Sequence, residues 1–296
     1  MRTLALLGLV IVLLAITAVI SPPLAASGLV AWILDVVDSD FDFKRIYNRV
    51  FEILLVLGVL LAWRPLGLGS AASVGLKERG WARQMGRGLV IGAAGLAVGL
   101  AVAWAFGGLV PRLRYDSLEK TVHKTVLGLL GAGFVGMFEE TVFRGVLLRR
   151  IAKDFGVVVG VVLTTAIYAA VHMLRDGEDV APGPMAGVER TLGLFAPLAD
   201  ASVVPTLLGL GGLGLVLAAA RLWGGSLWLA IGIHMAWVAV FRVGRIFFHV
   251  RERPEWLVGD GWPPLIGGAT GFVAVVATAV GLWRLLARRR ARVAMA

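Results

Sequence analysis

Residues Thr125 to Arg149 read TVLGLLGAGFVGMFEETVFRGVLLR. From Thr125 to Phe138 the run carries no charge. It then places Glu139, Glu140 and Arg144 inside the same apolar stretch. At 1.5 Å rise per residue it is long enough for a hydrocarbon core of about 30 Å. A lipid-spanning helix that carries ionisable groups at depth is costly, by a few kcal/mol per group on insertion scales, and such groups mark functional sites.

The rest of the chain agrees with a membrane setting. Of its 296 residues, 58% are hydrophobic and 16% charged. A soluble domain is about 45–50% apolar and about 25% charged. The surplus apolar surface has to face lipid, which excludes an ordinary soluble enzyme and a disordered chain. The chain has no Cys, so disulfides, thiolate nucleophiles and Cys-ligated zinc are excluded. Its net charge is +10. In a membrane protein that excess belongs in cytoplasmic loops and against anionic lipid, not on nucleic acid.

Eight spans are expected, at Thr3–Ile20, Ile46–Trp63, Gly88–Val110, Thr125–Arg149, Gly156–Leu174, Ser202–Ala220, Ser226–Val243 and Leu265–Leu285. The fold class is therefore an all-α polytopic bundle, read as one integral membrane domain over residues 1–296. The first run, stopped by Ser21-Pro22-Pro23, is longer than the usual signal-peptide core of 7–15 residues and reads as an uncleaved span. The short segment Leu24–Val37 ends among Asp35, Asp38, Asp40 and Asp42 and reads as interfacial or re-entrant. Lys77, Arg79, Arg83 and Arg87 before the third span, the turn Arg149–Gly156 and the C-terminal cluster Arg284, Arg288, Arg289, Arg290 and Arg292 read as cytoplasmic, with both termini. The loop Pro111–Lys124 should lie outside although it is net basic. Trp63, Trp223, Trp228, Trp262 and Trp283 stand near span ends as interfacial anchors. The 39 Gly residues allow close packing in lipid, but small-xxx-small patterns are too frequent to mark one interface.

Two deep groups stand out besides the fourth span: His172, with Tyr168 one turn before it, and His234, with Trp237 and Val238 one turn after it. His123 and His249 lie in loops or at span ends and read as surface groups. The fourth and fifth spans form a hairpin around Lys153–Phe155. Glu139 and His172 then lie roughly 23 and 27 Å from that turn, at matching depth on neighbouring helices. His234 lies roughly 15 Å beyond the turn around Trp223–Gly225. Glu140 and Arg144 share a helix face and read as an ion pair, since a buried Arg needs a carboxylate. Glu139, turned about 100° away, is free to act as a general base on water. His172 can hold that water or shuttle its proton. His234 can donate to a developing oxyanion. A polar network that locks helices together, and a proton or ion pathway, are the competing readings, although no broken-helix pair or inverted repeat supports transport.

Glu139-Glu140-Thr141-Val142-Phe143-Arg144 has the pattern E-E-x-x-x-R. Tyr168–His172 resembles F-x-x-x-H with Tyr for Phe, and His234–Val238 resembles H-x-x-x-N. In order and spacing these resemble the CPBP family of intramembrane proteases, which includes type II CAAX prenyl endopeptidases and bacterial Abi-type proteins. The resemblance covers a core of about 88–243, and Val74-Gly75-Leu76 is similar to the segment that precedes that core. It implies a peptidase cleaving a membrane-anchored or amphipathic peptide or protein substrate, in a bacterial cytoplasmic membrane. By motif match, Glu139 activates water, His172 assists, His234 stabilises the oxyanion, and Glu140 and Arg144 shape the site. The family has been described both as metal-dependent and as metal-independent. Glu139, His172 and His234 offer a His₂Glu set for zinc, but no H-E-x-x-H pair is present and a Glu–His–water site needs no cofactor. One position departs from the pattern: Val238 stands where Asn is expected and has no side-chain donor. Three readings follow: the chain is a slow protease, or Trp237 or Tyr168 is a substitute donor, or the chain is a degenerate member acting as a membrane scaffold or immunity factor.

Overall fold

The structure, a computed structural model, describes residues 2–30, 32, 42–66, 68, 70–174, 180–251, 254–259 and 265–294. Residues 31 and 33–37 of the expected interfacial stretch 24–37, and with them Asp35, lie outside these, as do Asp38, Asp40 and Trp262. The protein is all-α and polytopic. Its principal helices are α1 (Arg2–Ala25), α2 (Phe43–Leu61), α3 (Trp81–Ala105), α4 (Leu118–Glu140), α5 (Leu148–Phe155), α6 (Val157–Leu174), α7 (Ala186–Gly193), α8 (Val204–Leu222), α9 (Leu227–Phe247) and α10 (Ala269–Ala294).

Among the described residues, six stretches are long and apolar enough to cross a membrane: Arg2–Ala25, Trp81–Ala105, Leu118–Phe155, Ala201–Leu222, Leu227–Phe247 and Ala269–Arg288. Val157–Met173 is a shorter apolar helix. The remaining expected span corresponds to α2, whose first ten residues carry Lys44, Arg45, Arg49 and Glu52. Their contacts group into two compact units, residues 1–69 with 170–201, and residues 70–169 with 202–296.

In the first unit α1 packs on α2 and α7. The prolines expected to stop α1 do not: the helix continues through Pro22 and Pro23 to Ala25. Pro22 has no N–H for the carbonyl of Ala18. A Cβ added at Gly187 of α7 would lie 1.9 Å from that oxygen. Gly187 therefore lets another backbone close over the place where the helical ladder is interrupted. Tyr47 of α2 reaches the same helix, its hydroxyl 2.6 Å from Thr191 Oγ1.

In the second unit α3 packs against α9 and α10, α9 against α4, and α8 against α9 and α10. One glycine stripe organises this. Cβ atoms at Gly88 and Gly92 would meet the backbone oxygens of Leu229 and Ile233 on α9 at 2.3 and 2.7 Å. Those at Gly95 and Gly99 would meet Thr278 and the Thr270 carbonyl on α10 at 2.0 and 2.7 Å. With no side chain between them, three helices come into backbone contact, as small residues allow in lipid. α3 begins at Trp81, seven residues before the expected span, because nothing in Trp81–Arg87 breaks a helix.

Two short strands, β1 (Leu109–Pro111) and β2 (Phe248–Val250), pair antiparallel with Leu109 opposite Val250. The amides of Arg112 and Arg114 continue the pairing onto the carbonyls of Phe247 and Ile246. The chain before α4 is thereby pinned to the far end of α9. At the near end, Val74 is fully buried and its carbonyl faces Gly145. Arg149 donates to Ser73 Oγ, and the Trp228 indole donates to the Leu76 carbonyl. Gly75 adopts φ +97°, where a side chain is strained, and a Cβ there would also strike Leu227.

Candidate active site

α4 carries Glu139 and Glu140 at its last two positions. The helix then widens into a π-helical turn over Thr141–Leu147 before resuming as α5. Such turns interrupt α-helices frequently at functional sites. Here the wide turn starts directly after the glutamate pair and contains Arg144. α5 ends at Phe155, and Gly156, at φ +91°, turns the chain into α6, within a residue of the expected hairpin.

Glu139, Glu140, Arg144, Tyr168, His234 and Trp237 are all buried. Arg144 Nη1 donates to Glu140 Oε1 at 2.8 Å, the expected ion pair. Its Nη2 donates to the Gly214 carbonyl of α8 at 3.2 Å. Its guanidinium lies over the Tyr168 ring at 4.4 Å. The planar guanidinium is used on both edges and one face, a role for which Lys has no equivalent. Gly214 permits it: a Cβ there would crowd Thr165, Tyr168 and Arg144 at 3.1–3.5 Å.

His234, seven residues after the start of α9, enters between the two glutamates. Its Nδ1 donates to Glu140 Oε1 at 2.8 Å, and its Nε2 lies 3.9 Å from Glu139 Oε2. The Tyr168 ring stands edge-on to His234 at 5.9 Å and edge-on to Phe143 at 5.4 Å. Glu140 is thus shared by Arg144 and His234, a connection that spacing along one helix does not reveal. The Glu139–Nε2 distance exceeds a direct hydrogen bond, but two atoms 3.9 Å apart can share one water at ordinary bond lengths.

Of the residues singled out from the sequence, Glu139, Glu140, Arg144, Tyr168 and His234 come together in the second unit. Trp237 and Val238 follow His234 by one turn; Trp237 is buried and Val238 half-buried. His172 lies one turn after Tyr168 on α6, half-buried, on the part of that helix that groups with the first unit. His123 and His249 are exposed, as expected. Sequence reasoning did not find the Gly214 carbonyl, whose only signal is a glycine in a run of glycines. Among the described residues, no group of three or more His, Asp or Glu side chains could hold a metal ion.

Residues 121–240 match the family model described as Rce1-like, type II CAAX prenyl endopeptidase Rce1-like. The match runs from the first turn of α4 into α9 and takes in all three motifs. No curated protein and no solved structure matches the chain. Over residues 121–240, about two fifths of its length, the chain is therefore similar to the Rce1-like type II CAAX prenyl endopeptidases.

Proposed function

We propose that this chain is an intramembrane endopeptidase that hydrolyses a peptide bond in a membrane-anchored or amphipathic substrate. The observation that carries this reading is the pair of buried atoms, Glu139 Oε2 and His234 Nε2, held 3.9 Å apart beside the Glu140–Arg144 ion pair. A water between them would touch a base and a polar ring at once. Glu139 takes a proton from that water as its oxygen attacks the carbonyl carbon, with His172 assisting in the transfer. The charge that develops on the carbonyl oxygen is met by His234 Nε2–H. The tetrahedral intermediate collapses as the proton held by Glu139 passes to the leaving nitrogen. An Nε2–H beside the Nδ1–H already given to Glu140 requires the imidazolium form. Two carboxylates and one guanidinium leave one negative charge for that cation to balance. No step is routed through a metal, and the site works with no cofactor.

The same reading puts the protein in a bacterial cytoplasmic membrane with both termini in the cytoplasm, in contact with anionic lipid and not with nucleic acid. The test is cleavage of a membrane-peptide library by purified protein, wild type beside Glu139→Ala. Products that vanish in the mutant are expected. Products that persist would remove Glu139 from the chemistry, and none from either protein would favour a non-cleaving scaffold or immunity factor, for which Val238 is the leading cause. Cleavage should also survive a strong chelator; loss on chelation that zinc restores would overturn the metal-free mechanism.

A further inference from the structure

We propose that the indole N–H of Trp237 is a second donor to the carbonyl oxygen under attack, in the place that the family pattern gives to residue 238. The proposal rests on the peptidase reading above and deepens it. The Trp237 side chain is 1% exposed, and its Nε1 finds no acceptor among the described residues. Buried indole N–H groups usually find a partner, so an idle one deep in a membrane protein needs a reason.

Helix geometry says which way this donor is turned. Successive residues of α9 are set about 100° apart. α3 occupies the side of Leu229, Gly232, Ile233 and Ala236, where its glycines touch. α4 occupies the side of Met235, Arg242 and Val243, against Gly136, Gly131 and Gly128. The remaining arc holds His234, with Trp237 about 60° to one side of it and Val238 about 40° to the other. Phe241, also on that arc, packs edge-on against Trp237 at 6.0 Å. Trp237 and Val238 therefore flank the histidine, and only the tryptophan carries a donor. Tyr168, the other polar ring nearby, carries Arg144 on its face and stands edge-on to Phe143 and His234.

The test uses the full chain and the peptides that wild type cleaves in a Glu139-dependent way. kcat and KM are measured for W237F, V238N and the W237F/V238N double variant, with thermal unfolding of each. Removing one oxyanion donor lowers kcat by about 10²–10³-fold. W237F should show a kcat loss of that order with KM within about twofold, and the added Asn should return about tenfold or more of the lost kcat. A tryptophan that only filled space would behave differently, because Asn at the neighbouring position cannot refill the volume of an indole. W237F with wild-type kcat, or a kcat loss that V238N does not relieve, would overturn the proposal and leave the peptidase reading standing. If wild type shows no Glu139-dependent cleavage, both fall together.

Discussion

Glu139 and Glu140 are adjacent in the chain, yet their surroundings assign them opposite signatures. Glu140 Oε1 receives both Arg144 and His234, so the residue neutralises one cation and orients the ring beside it. Removing one partner of a buried ion pair costs about 3–5 kcal/mol, because the other charge is left uncompensated. Glu140→Gln is expected to lower stability by about 3 kcal/mol in unfolding experiments in detergent, and to lower cleavage with it. Glu139→Ala should abolish cleavage with a much smaller loss of stability. Equal stability losses in the two variants would show that the division of labour is wrong. Arg144→Lys tests the same cluster from the other side. A Lys retains the charge but not the bond to the Gly214 carbonyl together with the stacking on Tyr168, and about 1–3 kcal/mol should go with them. At this scale the pair Glu140–Arg144 was legible because i, i+4 spacing alone sets it. The Glu140–His234 bond was not, because it depends on how two distant helices are rotated against each other.

Helices here are defined less by what stops them than by what lets them touch. α3 shows this in two neighbouring glycines. A Cβ at Gly88 would lie 2.3 Å from the Leu229 carbonyl, whereas one at Gly86 would meet nothing within 4 Å. Gly88→Ala must push α9 away and should cost about 1–3 kcal/mol, as overpacking does. Gly86→Ala adds helix propensity without a clash and should raise stability by about 0.5–1 kcal/mol. Thermal unfolding of both variants in one detergent checks the pair, and equal shifts would mean that the stripe is not the contact that holds α3 to α9. The apolar runs announced the helices, with ends off by several residues where no cap or breaker stands. The π-helical turn over Thr141–Leu147 had no signal, since no residue type in it forbids an ordinary α-helix. The β1–β2 ribbon was equally hidden, being three residues on each side.

For the whole chain the open quantity is orientation, and the fold narrows it. Contacts at Val74–Leu76, Arg149 and Trp228 gather the segment before α3, the α5–α6 turn and the α8–α9 turn at one end of the second unit. The β ribbon gathers the α3–α4 loop and the end of α9 at the other. The basic loop 111–124 thus lies at the same end as the chain that leaves α9. Loop charge barely separates the two ends, since Lys77, Arg79, Arg83, Arg87, Arg149, Arg150 and Lys153 at one are answered by Arg112, Arg114, Lys120, Lys124, Arg242, Arg245 and Arg251 at the other. The C-terminal arginines decide the sum. α10 starts beyond the ribbon and runs back, so Arg284, Arg288, Arg289, Arg290 and Arg292 join the first end and should hold it in the cytoplasm. Because the chain has no Cys, single cysteines can be added to it with no others to remove. Cysteine at Asp116 should react with a membrane-impermeant maleimide in intact cells, and cysteine at Gly156 only after the membrane is opened. The reverse pattern would invert the topology. Replacing the five arginines by Gln should make labelling at both positions partial, because the remaining loops no longer favour one direction. Unchanged labelling would mean that an earlier span sets the orientation and that α10 only follows.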